Sequence, residues 1–257
     1  MSEKEVLEIL GVKVLLGDST TVFFNVAKLH TQNKIDVPVI IERSKIPGPT
    51  VLVTAGIHGD EINGVEIVRQ LIAKGINKPK KGTIICIPVI NVFGFIQMDR
   101  EFPDGRDLNR VFPGSRNGAL ASRVAHKLTQ EVIPHADLIL DFHTGGADRF
   151  NSAQIRITKG DKSLEELAEV FGAPFIYNSK NLNKSFRNTA FKLGIPMLLF
   201  EGGKSFNIDS KITNSGVNGV KRVLHHLGML RLKYKVTKPK KSSAYIIESK
   251  WIRAKYS

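Results

Sequence analysis

The sequence lacks the features of a secreted, disulfide-bonded or membrane-spanning protein. Its 257 residues contain one cysteine, Cys86, which excludes an intrachain disulfide and is typical of a small core residue in a reducing compartment. The longest apolar runs, TIICIPVI and PMLLF, are far shorter than the roughly 20 residues that a membrane helix needs. The first residues, MSEKEVLEIL, carry acids and no apolar core, which argues against a secretory signal. We therefore expect a cytoplasmic location and no membrane partner.

The sequence also lacks the common signatures of zinc and nucleic-acid binding. It has no HExxH motif, no CxxC pair and no helix-turn-helix or aromatic-basic RNA motif. The formal charge is +14, but residues 221–257 hold 11 Lys or Arg against one acid, and the preceding 220 residues carry only +4. Clustered lysines could attract an anionic partner, although a solvated basic extension is the simpler interpretation. Nucleic acid is therefore not the partner we expect.

What the sequence does contain is an alternation of apolar, β-rich runs with helix-period segments. The runs TVFFNVAKL and VPVIIER predict neighbouring antiparallel strands, and a loop is predicted from Asn91 to Asn117. The alternation predicts an α/β fold with a mixed, mainly parallel central sheet and helices on both faces. We assign one domain to residues 1–235, and a linker with the start of a truncated C-terminal β segment to residues 236–257.

Three polar motifs, GIHGDE, DFHTGG and FEGG, each stand where an apolar strand ends, and ligands bind at the carboxyl ends of strands in such sheets. His58 and Glu61 are three residues apart across a turn, and His143 ends a second strand. A lone histidine beside an acid is more often a surface or core residue, but the second histidine favours a metal. Two imidazoles and one carboxylate are a zinc ligand set that leaves a position for water, whose pKa zinc lowers to about 7. The pattern predicts one Zn²⁺ per chain.

Glu201, in LLFEGG, is the candidate general base, because a hydrolase needs a carboxylate near the attacking water and the two glycines allow close approach of a ligand. The alternative is a surface acid at a turn. The loop MDREFPDGRDLNRVFPG offers the planar guanidinium groups of Arg100, Arg106 and Arg110 to a substrate carboxylate. Asn109 could bind the same group. Solvent exposure is the alternative for any one of these arginines.

Four segments in this order, AGIHGDEINGVE, GRDLNRVFPG, LILDFHTGG and FEGG, resemble the succinylglutamate desuccinylase/aspartoacylase family over roughly residues 20–230. These proteins are zinc-dependent deacylases with the metallocarboxypeptidase α/β fold. The resemblance implies that His58, Glu61 and His143 bind zinc, which agrees with the set identified from the residues alone. It implies that Glu201 is the general base and proton shuttle.

The resemblance also implies roles around the substrate. Asn109 and Arg110 match the pair that binds the α-carboxylate, and Arg100 matches the arginine that polarises the scissile carbonyl and stabilises the oxyanion. Asp107 resembles the carboxylate that orients a ligand histidine, which makes physical sense. Arg187, in SFRNTAF, matches a further arginine that contacts substrate.

The implied activity is hydrolysis of the amide bond of a small N-acylated amino acid that carries a carboxylate. Two alternatives remain open: a zinc carboxypeptidase acting on peptides, and a non-catalytic relative that binds an anionic partner through its basic tail. A structural zinc site is disfavoured, because such sites fill all four positions with Cys or His. Family members usually continue into a second β-rich domain, and SAYIIESKWIRAKYS resembles only its beginning. Monomer and homo-oligomer are both compatible with the sequence.

Overall fold

The computed structural model describes residues 6–158, 160–239, 241–250 and 252. The strands are β1 (Val6–Ile9), β2 (Val12–Leu15), β3 (Ser19–Lys28), β4 (Lys34–Arg43), β5 (Thr50–Ala55), β6 (Thr83–Ile87), β7 (Leu138–Gly145), β8 (Asn151–Ile157), β9 (Phe175–Asn178), β10 (Met197–Lys204) and β11 (Ala244–Ile246). The helices are α1 (Ile62–Ala73), α2 (Val92–Gln97), α3 (Leu120–Glu131), α4 (Lys162–Phe171), α5 (Phe186–Lys192) and α6 (Ser210–His226). Two short 3₁₀ turns span Leu108–Arg110 and Ile133–His135.

Nine of these strands form one sheet, in the order β11-β9-β8-β10-β7-β5-β6-β4-β3. The pairs β5–β6, β5–β7, β7–β10, β8–β9 and β9–β11 are parallel. The pairs β3–β4, β4–β6 and β8–β10 are antiparallel. The predicted mixed, mainly parallel sheet is therefore confirmed, and so is the antiparallel pair near the start of the chain.

Helices cover both faces of the sheet because alternate residues of its central strands point to opposite sides. On β5, Val51 and Val53 belong to a buried cluster that includes residues of α1, α4 and α6. Leu52, between them, belongs to a second buried cluster with residues of α3 and α5. Apolar side chains fill the space between the sheet and the helices on both faces, which explains why the sequences of the central strands are continuous hydrophobic runs.

The structure adds elements that the sequence analysis did not predict. The predicted loop from Asn91 to Asn117 was wrong in part, because it contains α2 and a 3₁₀ turn. The Asn91 side chain accepts a hydrogen bond from the Gly94 N–H and so begins α2. The β1–β2 hairpin and β9 were also missed. No described helix is long and apolar enough to cross a membrane.

The segment assigned to residues 236–257 contributes β11, which pairs in parallel with β9 at the edge of the sheet. The domain boundary itself stays a prediction, and part of the segment lies outside the described residues. For the candidate site, the central strands matter more. The carboxyl ends of β5, β7 and β10 lie side by side, and Glu201 is the direct register partner of His143.

Candidate active site

His58, Glu61 and His143 meet at the carboxyl edge of the sheet. His58 and Glu61 lie in the turn between β5 and α1, whereas His143 lies on β7. One side-chain donor atom of each residue lies within 4.8 Å of those of the other two, and all three side chains are buried. His58 Nδ1 is 2.7 Å from Glu61 Oε1, and His143 Nδ1 is 3.0 Å from Glu61 Oε2. The three residues can therefore act together as a metal-binding set.

A carboxylate stands behind each of the two rings. His58 Nε2 is 3.0 Å from Asp107 Oδ1, and His143 Nε2 is 2.7 Å from Asp141 Oδ2. A carboxylate at Nε2 favours the proton on that nitrogen and leaves the Nδ1 lone pair directed toward the Glu61 carboxylate. Asp141 is in turn fixed by the Thr54 hydroxyl, which donates to its Oδ1 over 2.6 Å. Two nitrogen donors and one carboxylate, backed in this way, fit a zinc ion.

The charges of the cluster favour a cation at its centre. Burial disfavours the charged form of His143, but Asp141 and Glu61 raise its pKa well above the ordinary value. Burial likewise opposes protonation of His58, and Glu61 with Asp107 raises the pKa of that ring. Burial would raise the pKa of Glu61, but the two rings lower it. A bound cation would take the place of the protons that these groups otherwise attract.

Arg100 connects the metal-binding set to the loop that carries Asp107. Its Nε and Nη2 donate to Asp107 Oδ2 over 3.1 and 2.9 Å, and its Nη1 donates to Glu61 Oε1 over 3.2 Å. Burial would raise the pKa of Asp107, but His58 and Arg100 lower it. Asp107 therefore contacts the His58 ring and the Arg100 guanidinium together. Of the three arginines proposed from this loop, Arg100 and Arg110 line the cavity described below. Arg106 is exposed and does not line it.

A cavity of about 310 Å³ opens beside the cluster. Its lining combines the three metal-binding candidates and Glu201 with five arginines, Arg100, Arg110, Arg149, Arg156 and Arg187. Glu201 Oε2 accepts a hydrogen bond from Asn151 Nδ2 over 2.8 Å, and its Oε1 is 3.6 Å from Arg156 Nη1. Burial raises the pKa of Glu201, while Arg156 and His143 oppose that shift. The structure thus places a carboxylate with a raised pKa in the lining of a cavity that is rich in arginine.

The proposed substrate-binding residues occupy different surroundings. The Asn109 Oδ1 accepts a hydrogen bond from the Phe186 N–H over 2.8 Å. The side-chain NH₂ of Asn109 therefore remains to donate a hydrogen bond to a substrate carboxylate. Arg110 is exposed at the cavity and donates to the Asn109 carbonyl. Arg187 is buried and donates through Nη2 to Ser179 Oγ and the Lys180 carbonyl.

Arg187 keeps one unused donor. Its buried Nη1 finds no hydrogen-bond partner among the described residues. Burial and the neighbouring Arg156 lower the pKa of Arg187 to about 10. A buried cation that lacks a partner for one of its donors suits an anionic ligand.

Sequence reasoning missed Asp141, Asn151 and Arg156. Asp141 had a readable signal, because it precedes His143 by two residues on a strand and therefore shares its face. Asn151 and Arg156 had no comparable signal. They reach Glu201 only because β8 pairs with β10. Local sequence does not predict this strand order.

Residues 47–227 match the succinylglutamate desuccinylase/aspartoacylase catalytic domain. The N-alpha-acetyl-L-2,4-diaminobutyric acid deacetylase of Halomonas elongata is 30% identical over 206 residues, or 76% of this chain. The chain spans 59% of the length of that curated relative.

Solved structures share the fold. The succinylglutamate desuccinylase/aspartoacylase of Rhodobacter sphaeroides has a TM-score of 0.79 at 24% identity, over 91% of this chain and 72% of its own. The product-bound ectoine utilization protein of Ruegeria pomeroyi has a TM-score of 0.79 at 20% identity, over 96% of this chain and 77% of its own. At these identities the likeness establishes the architecture alone.

Proposed function

Because the chain belongs to the succinylglutamate desuccinylase/aspartoacylase family, we propose that it is a zinc-dependent hydrolase that cleaves the amide bond of N-acyl amino acids. The observation that carries the proposal is the convergence of His58, Glu61 and His143 beside Glu201 in one cationic cavity. A carboxylate beside two imidazoles suits hydrolysis of an acyl group, and the surrounding arginines suit an anionic substrate.

His58, Glu61 and His143 would hold the zinc ion. When bound there, zinc supplies Lewis acidity that polarises a carbonyl and makes water a better nucleophile near neutral pH. Glu201 takes the proton from the attacking water and passes it to the departing amine as the C–N bond breaks. Burial raises the pKa of Glu201, so it is a stronger base than an ordinary glutamate, which favours the first of these transfers.

The arginines and Asn109 orient the substrate. Arg100, already aligned by Asp107, donates to the acyl oxygen as negative charge develops there. The Asn109 amide and the Arg110 guanidinium bind the α-carboxylate of the amino-acid half. Arg187 offers its unused donor to a further group of the substrate.

The proposal is tested by supplying the zinc-loaded protein with N-acetyl and N-succinyl amino acids beside C-terminal dipeptides. We expect release of free amino acid from the acylated substrates. Peptide cleavage without deacylation would replace the proposal with a zinc carboxypeptidase. A protein that retains zinc, cleaves neither class and binds a polyanion through residues 221–257 would be the non-catalytic alternative. The cytoplasmic location and the oligomeric state stay predictions.

A further inference from the structure

Glu201 is held through both of its carboxylate oxygens by side chains of a single neighbouring strand, β8. Asn151 Nδ2 donates to Oε2 over 2.8 Å, and Arg156 Nη1 lies 3.6 Å from Oε1. The register of the β8–β10 pair places Asn151 opposite Gly203 and Arg156 opposite Leu199. The two side chains therefore approach Glu201 from opposite directions along β10.

An irregularity in the sheet makes this arrangement feasible. Asn151 and Arg156 are five residues apart, so a regular strand would direct them to opposite faces. The register shifts between Glu201 and Gly203, where three steps along β8 correspond to two along β10. This extra residue in β8 returns Asn151 to the face that carries Arg156 and Glu201, because directly paired residues share a face.

Arg156 is itself fixed by its surroundings. Its guanidinium lies 5.7 Å from the centre of the Tyr177 ring on β9, the residue with which it is in register. The buried Arg187 is also close to Arg156, whose positive charge lowers the pKa of Arg187. The Tyr177 ring and the Glu201 carboxylate therefore both favour this placement of the Arg156 guanidinium.

We propose that Asn151 and Arg156 are positioning residues that hold the Glu201 carboxylate in one orientation toward the cavity. A carboxylate without such partners rotates among several orientations, and only some of these reach the attacking water. The inference rests on the proposed function, since it assigns a catalytic purpose to the two contacts. It requires that neither residue act mainly by binding substrate.

Steady-state kinetics of the zinc-loaded enzyme separate positioning from binding. N-acetyl-L-aspartate and Nα-acetyl-L-2,4-diaminobutyrate serve as probes. Asn151→Ala and Arg156→Gln should each lower kcat about 10- to 100-fold, with KM within about twofold and zinc content unchanged. Arg156→Lys should keep more turnover than Arg156→Gln, because a lysine can still pair with Glu201. Ser152→Ala, an exposed site on the same strand, is the matched control and should resemble the wild type.

An increase in KM without a loss of kcat would overturn the inference, because it would identify the two residues as substrate contacts. Unchanged kcat in both variants would overturn it as well. A crystal structure of the zinc-loaded Asn151→Ala/Arg156→Gln variant gives a test that needs no turnover. We expect Glu201 to occupy several orientations in the variant and one in the wild type. The same single orientation in both proteins, or several orientations in the wild type, would refute positioning. One orientation in the wild type and several in the variant, without any deacylation by the wild type, would refute only the proposed function.

Discussion

Replacement of Asp141 by asparagine tests whether the carboxylate behind His143 strengthens the metal site. Asp141 is buried, accepts from the Thr54 hydroxyl over 2.6 Å and contacts His143 Nε2 at 2.7 Å. Asparagine has the same shape and can still accept from the ring through its oxygen, while its NH₂ group faces the Thr54 hydroxyl. The substitution therefore removes the negative charge and leaves the packing in place.

The expected loss follows from the role of that charge. Asp141 is the group that most raises the pKa of His143 against the effect of burial, so its removal makes the ring less basic and a weaker ligand. Partners of this kind typically contribute about 10- to 100-fold in metal affinity, or about 1.4 to 2.8 kcal/mol. We expect a loss of zinc affinity in that range.

Competition for zinc against a chromophoric chelator at pH 7.5 measures the effect. Asp137→Asn is the matched control, because Asp137 is exposed, accepts from the Thr50 N–H and lies at the opposite end of β7 from His143. It should leave zinc affinity unchanged. The reasoning fails if Asp141→Asn binds zinc within about twofold of the wild type, or if the two asparagine variants lose affinity equally.

Three further predictions use the same protein. Glu201→Gln should keep its zinc and lose about 100- to 10,000-fold in kcat, as elemental analysis and a deacylation assay will show; retained turnover would exclude Glu201 as the base. His143→Ala should lose bound zinc, and equal zinc content in the variant and the wild type would contradict the ligand assignment. Burial raises the pKa of Cys86 to about 12, so little thiolate is present at pH 8. Iodoacetamide should therefore label only the unfolded protein, which mass spectrometry can measure. Labelling of the native protein would contradict this prediction.

The missed elements show why local patterns have limits. α2 spans six residues, Val92–Gln97, too few for an apolar period to be recognised, and its start depends on one capping contact from Asn91. The hairpin β1–β2 consists of two four-residue strands, and a strand that short gives little alternation to read. Arg106 was proposed as a substrate-binding residue because the polar loop offers its planar guanidinium group, but the structure leaves this side chain exposed to solvent.

The sequence by itself determined the α/β architecture and the residues that gather at one edge of the sheet. That was sufficient because apolar strands with a helical return must run parallel, and their carboxyl ends then bring His58, Glu61, His143 and Glu201 together. Only the tertiary structure decided which side chains support them. Asn151 and Arg156 reach Glu201 through the insertion of β8 beside β10 and through one irregular register. Such contacts join residues that are about 50 positions apart, and no local spacing of residues encodes them.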